Sequence, residues 1–103
     1  MRTEQASVEA LTVFQAPALD PILIVLQDFG GGRGRLLLEC YGLAWSTWFG
    51  AYGDGTLKGF ITSCGADYLA NRMWPPKQRR TKADYGYLVR VVEATQKALR
   101  DPL

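Results

Sequence analysis

The sequence predicts an α+β fold: a three- or four-stranded antiparallel sheet in the N-terminal half, with three helices of the C-terminal half packed on one face. Three observations predict it. Strand-length apolar runs, bounded by glycine and proline, fill the first 53 residues. After Gly53-Asp54-Gly55 the apolar residues recur at three- and four-residue spacing, the period of a helix. A length of 103 residues with 48% hydrophobic content suits one core, so residues 1–103 read as a single domain. Strands first and helices afterwards favour an antiparallel sheet with one covered face.

Ser7 to Phe14 is a weak strand, and residues 1–18 as a whole form that strand or an arm. Pro17 interrupts Gln15–Asp20 and Pro21 follows directly, so no regular element spans this stretch. Ile22 to Leu26 is an unbroken β-branched and aliphatic run. It fits a strand covered on both faces, because alternation would leave one face polar. Leu36 to Tyr41 forms the next strand. Between them, Asp28 to Arg35 contains four glycines able to take positive φ and reads as a hairpin connection. Ala44 to Tyr52 holds Trp45, Trp48 and Phe49 and reads as a further strand, entered through a bulge at Gly42.

Beyond the Gly53-Asp54-Gly55 turn, Thr56 offers a hydroxyl cap to a short helix. Leu57, Phe60, Ile61 and Cys64 fall on one face of it, and Gly65 closes it at C′. Asp67 caps a second short helix through Tyr68, Leu69 and Met73, which Pro75-Pro76 stops. Residues 72–82 read as a basic inter-helix linker and residues 83–100 as the C-terminal helix. Thr81-Lys82-Ala83-Asp84 resembles a capping box with Asp in place of Glu. Leu88, Val91, Val92, Thr95, Ala98 and Leu99 then form one stripe. Glu93 and Lys97 make a favourable i, i+4 pair, Lys97 and Arg100 suit the negative end of the helix dipole, and Pro102 lies just beyond.

Composition narrows the chemistry. The chain has no histidine, which removes charge-relay hydrolysis, Cys–His proteolysis and His-ligated zinc. Two cysteines, Cys40 and Cys64, are too few for a structural zinc site and read as buried small hydrophobes. Asp20, Asp28, Glu39, Asp54, Asp67 and Asp84 are scattered, with no local pair at metal-binding spacing. The expectation is therefore a protein without catalytic residues, cofactor or metal. MRTEQASVEA lacks the apolar segment of a secretory signal, and no apolar run approaches the roughly 18 to 20 residues of a bilayer span. No membrane partner is expected.

Three features point instead to binding. Arg72, Lys77, Arg79, Arg80 and Lys82 put five cations and no acid into eleven residues, beside Trp74 and Pro75-Pro76. The chain has 12 cations and 10 acids, so its net +2 combines +5 on this segment with −3 elsewhere. Such a segment is either a solvated linker or an electrostatic contact surface for phosphate or an acidic protein. Arg33 and Arg35 sit at the glycine hairpin, where two guanidiniums on a flexible tip can grip an anion. The hairpin is no P-loop, since no Lys follows it and it runs into a strand rather than a helix. Among the aromatics, Trp45 and Phe49 share one strand face and Trp48 and Tyr52 the other. If one face is free, Trp48 and Tyr52 are its contact residues.

The order Leu19-Asp20-Pro21-Ile22, Asp28-Phe29-Gly30 with Gly34-Arg35, and Cys40-Tyr41-Gly42 with Ala44-Trp45 resembles a known pattern. It continues through Gly53-Asp54-Gly55-Thr56, Phe60, Ser63-Cys64 and Ala66-Asp67-Tyr68-Leu69-Ala70. The pattern is similar to that of a family of small proteins encoded by temperate bacteriophages and prophages. The resemblance covers residues 19 to 70, about half of the chain. The chain departs from the pattern by an extra glycine at the hairpin tip and by its own C-terminal part from Arg72 onward. The resemblance carries over no catalytic residue. What it implies is a phage protein acting in the host bacterial cytoplasm on a host or competitor protein complex, a nucleoprotein included. The leading expectation is an inhibitor of host defence, anti-CRISPR proteins being one such class, that works by occupying a surface. The alternative is a nucleic-acid-binding accessory factor of phage replication or recombination, using Arg72–Lys82 and the hairpin arginines.

Overall fold

The computed structural model describes residues 1–101; Pro102, expected just past the last helix, lies outside the described residues. Its elements are β1 (Ser7–Val13), β2 (Ile22–Gly30), β3 (Arg33–Cys40), β4 (Leu43–Phe49), α1 (Leu57–Ser63), α2 (Ala66–Met73) and α3 (Lys82–Arg100). The strands form one antiparallel meander in the order β1-β2-β3-β4, and the three helices follow, so the α+β expectation holds.

Register aligns the apolar residues of one face. Ile24 stands opposite Leu38, and Leu38 opposite Trp45, while Ile22 faces Cys40. Against this face pack Leu57 and Ile61 of α1, Leu69 and Met73 of α2, and Leu88, Val91, Val92 and Leu99 of α3, all buried. Each such Leu, Ile or Val contributes roughly 1.5 to 3 kcal/mol by leaving water. β2 is covered on this face only, which corrects the expectation of cover on both. Ile22, Ile24 and Leu26 are buried and the intervening Leu23 and Val25 half-buried. Ala10, Thr12, Arg35, Ala44 and Ser46, on the same face as Leu23 and Val25, are exposed. The continuous run arises because neighbouring strands, rather than a second layer, shelter Leu23 and Val25.

Both inner connections are tight. Gly31 and Gly32 join β2 to β3 with φ of 61° and 78°, a conformation that costs glycine no steric clash. The hairpin is thus shorter than the sequence suggested, and Arg33 and Arg35 belong to a strand. Tyr41 (φ 54°) and Gly42 (φ 79°) form a two-residue turn, so Tyr41 leaves the strand and no bulge is needed at Gly42. The helix starts follow their caps. Thr56 Oγ1 accepts from the Gly59 amide at 3.0 Å, and Thr81 Oγ1 from the Asp84 amide at 3.1 Å. Gly65, with φ −72°, is the N-cap of α2 rather than a left-handed terminator of α1. Asp67 accordingly lies in the first turn instead of capping, and its carboxylate accepts the Tyr85 hydroxyl at 2.8 Å.

The stripe on α3 is buried as expected except for the half-buried Ala98, with Gln96 added to it. Gln96 Nε2 donates to the carbonyls of Ile61 at 3.0 Å and Cys64 at 2.7 Å, satisfying the C-terminal end of α1. Cys40 and Cys64 are both free thiols, Cys40 buried and Cys64 partly so. Cys40 Sγ lies 3.4 Å from the Asp20 carbonyl and accepts the Tyr87 hydroxyl at 3.1 Å.

Candidate interaction surface

Alternation along β4 sends Trp45, Thr47 and Phe49 inward and leaves Ala44, Ser46 and Trp48 on the open face. Trp48, 41% exposed, stands opposite Arg35 of β3. The Arg35 guanidinium lies 5.6 Å over the indole, and Phe29 meets the same ring edge-on at 5.8 Å. Arg33 in turn lies 5.6 Å over Phe29. Three residues singled out from the sequence, Arg33, Arg35 and Trp48, therefore meet on one face, and Phe29 joins them. They sit on paired strands and not on a flexible tip, so their side chains are pre-positioned.

The two arginines differ in whether a carboxylate already pairs with them. Arg33 grips Glu4 with two bonds of 2.9 and 3.1 Å, which hold the Glu4 carboxyl below its ordinary range. Arg35 makes no ion pair among the described residues. Away from this cluster the face continues through Val25 and Leu37, paired with each other, to Leu23. Its centre is apolar and its hairpin end carries the arginines.

Arg72 is placed otherwise than a linker cation. It lies in the last turn of α2, where its Nη2 donates to the Trp48 carbonyl at 2.7 Å. Its guanidinium stacks 4.8 Å over Phe49 and 5.9 Å over the exposed Tyr68. It clamps α2 against the outer edge of β4. Arg80 is pinned as well, by a 2.9 Å bond to Asn71 Oδ1 and by stacking at 4.3 Å on Tyr85 and 5.6 Å on Trp74. Trp74 is buried and its Nε1 donates to the Gln78 carbonyl at 3.0 Å, so this part of the linker is folded back onto the domain. Lys77, Arg79 and Lys82 are exposed and form no ion pair among the described residues, Lys82 being the first residue of α3.

The linker does not join the Arg35–Trp48 cluster. A cavity of about 180 Å³ lined by Leu43, Ala44, Trp45, Trp74, Pro75 and Gln78 places it beside the start of β4. Trp48 and its arginines lie at the other end. The segment of five cations thus separates into two arginines engaged with the fold and three exposed cations without an ion pair among the described residues.

Tyr52 is not a surface residue. β4 ends at Phe49, and Gly50 and Ala51 break the two-residue alternation that would have set Tyr52 beside Trp48. Tyr52 turns inward, stacks on Phe60 at 5.6 Å and donates its hydroxyl to Asp28 Oδ1 at 2.5 Å. Burial, and then the Asp28 carboxylate, push the Tyr52 hydroxyl up to about 12. Asp28 also accepts from the Gly30 amide at 2.9 Å and the Leu57 amide at 3.0 Å. Tyr52 first and these amides next hold its carboxyl below the usual range. One carboxylate thereby joins the hairpin, the loop after β4 and the start of α1, a role that sequence spacing did not signal. Among the described residues, no group of three or more His, Cys, Asp or Glu side chains is arranged to hold a metal ion.

The sequence model of the phage family Phage_phiTE_072 matches residues 1–101. The chain belongs to this family. The match takes in β1 and everything from Arg72 through α3, so the phage relationship extends well beyond the motifs between residues 19 and 70. No curated protein and no solved structure matches the chain. None of its described helices is long and apolar enough to cross a membrane.

Proposed function

We propose that this phage-family protein is a non-catalytic binding protein that inhibits a host machine by occupying one of its protein surfaces. A defence complex of the CRISPR type in the host cytoplasm is the leading kind of target. The observation that carries the reading is the open sheet face. Leu23, Val25 and Leu37 form an apolar centre, with Trp48 and the stacked arginines at its end. Protein interfaces concentrate tryptophan and arginine around such centres and exclude lysine from them. Lys77 and Lys82 belong to the linker and the start of α3 rather than to a strand of this face, Glu4 pairs with Arg33, and Glu39 lies at the opposite end of the face.

The test is affinity purification of the full chain from phage-infected host cells, with and without nuclease, followed by mass spectrometry. A host protein retained after nuclease supports the reading, and recovery of nucleic acid alone contradicts it. The nucleic-acid alternative keeps one supporting observation, since Arg35, Lys77, Arg79 and Lys82 all lack a carboxylate partner among the described residues. It predicts oligonucleotide binding that falls steeply with salt and drops in an Arg79→Ala/Arg80→Ala variant. No binding at low salt removes it.

A further inference from the structure

The two edges of the sheet are finished differently. β4 has α2 beside it, and Arg72 donates to one of its outward carbonyls. β1 has no strand paired along its outer edge among the described residues, although all seven of its residues pair with β2 on the inner side. An uncovered edge strand leaves every second N–H and C=O free to pair with another strand. Its only charged residue is Glu9, whose carboxylate already lies 3.9 Å from Lys58. Two of the large hydrophobic residues exposed on this protein, Val8 at 61% and Phe14 at 70%, lie on or directly after β1.

We propose that the occupant of this edge is the β1 strand of a second copy, paired antiparallel about a two-fold axis through Ala10. Ala10 is the midpoint of Ser7–Val13, so this register uses the whole strand. It sets Glu9 opposite the second copy's Leu11, Val8 opposite Thr12 and Ser7 opposite Val13, with no like charges directly opposite; the two Glu9 side chains become diagonal neighbours, each carrying its own Lys58 at 3.9 Å. Val8, Ala10, Thr12 and Phe14 share the open side of the strand. Antiparallel pairing therefore brings Phe14 of each copy diagonally against Val8 of the other, which covers two exposed apolar residues at once. The inner side is accommodating too. A cavity of about 460 Å³ runs beneath β1, lined by Leu11, Val13, Lys58, Ala98 and Leu99, so the side chains of an added strand meet open space there. The pairing is isologous and closes on itself. It yields an eight-stranded sheet whose two ends are β4 edges flanked by α2, which stops further growth. Trp48 lies on β4, so this association is independent of the binding reading above and can fail without it.

The experiment is sedimentation equilibrium of the full chain across the micromolar to millimolar range, for the natural sequence, Ala10→Glu and Ala10→Lys. Ala10 is exposed, and circular dichroism checks that each variant is folded. The natural protein forms dimers. Each variant, which places two like charges at the two-fold axis, weakens association by about tenfold or more, and an equimolar mixture of the two regains it. Amide hydrogen exchange on the unaltered chain provides a readout that needs no variant: β1 amides gain protection with concentration. A natural protein that stays monomeric through the range overturns the proposal, as does dimerisation indifferent to Ala10→Glu. So does β1 protection that appears only when a different protein is added.

Discussion

Replacing Asp28 tests how the loops that frame the sheet are held. Its carboxylate accepts from the Tyr52 hydroxyl at 2.5 Å, the Gly30 amide at 2.9 Å and the Leu57 amide at 3.0 Å. Hydrogen bonds to a charged group are worth roughly 1.5 to 3 kcal/mol each. They share one half-buried carboxylate that water also reaches, so their loss is less than additive, and about 3 kcal/mol is expected for Asp28→Ala. That is a large part of the roughly 5 to 15 kcal/mol that holds a domain of this size together. At about 4 to 8 °C per kcal/mol, the thermal midpoint falls by about 12 to 24 °C. Urea unfolding of Asp28→Ala, Tyr52→Phe and the double variant measures it. The double-mutant cycle should return a coupling of about 1 kcal/mol or more between the two side chains. A loss below about 0.5 kcal/mol for Asp28→Ala, the range of an ordinary surface substitution, would refute the reasoning. So would fully additive single changes.

The same pair sets two pH limits. Asp28 has a folded pKa below its reference of 3.8, so its contribution is present above that value and is lost as pH falls through the lower folded pKa. Tyr52 has a folded pKa near 12 against a reference of 10.0, so its contribution is full below 10.0 and is lost as pH rises towards 12. Unfolding measured across pH should show both limbs, and Asp28→Asn should flatten the acid one. Arg72→Ala removes the 2.7 Å bond to the Trp48 carbonyl and the stack on Phe49; it should cost about 1 to 3 kcal/mol by urea unfolding. Arg72→Lys recovers little, because a lysine lacks the planar group. Gln96→Leu leaves the Ile61 and Cys64 carbonyls without their side-chain donor, and a loss of about 1 to 3 kcal/mol is expected in the same assay.

The strands and helices could be read because burial writes a period into the chain. Leu57, Ile61, Leu88, Val91, Val92 and Leu99 recur at helical spacing and are all buried. Charge and aromatic content were weaker guides, since neither says where a side chain turns. Arg72 and Arg80 counted towards a basic segment, yet both stack on rings and bond to neighbours within the fold. Tyr52 shared a periodicity with Trp48 only as far as the strand continued, and Gly50 ended it. The roles of Asp28 and Gln96 could not be read from spacing, because Asp28 meets the Tyr52 hydroxyl and the Leu57 amide, and Gln96 the Ile61 and Cys64 carbonyls, all distant in sequence. The uninterrupted Ile22–Leu26 run hid an alternation that only the one-sided placement of the helices exposes.

Capture of a host protein through the open sheet face is measured most directly by one comparison in infected, nuclease-treated cells. The unaltered chain, Trp48→Ala/Arg35→Ala, and Lys77→Ala/Arg79→Ala/Lys82→Ala are used side by side as bait. The loss of a tryptophan anchor costs about 2 kcal/mol, roughly thirtyfold in affinity. The account predicts a host protein bound by the unaltered chain and by the linker variant, and lost from the Trp48/Arg35 variant. Retention by the Trp48/Arg35 variant together with loss from the linker variant would contradict it.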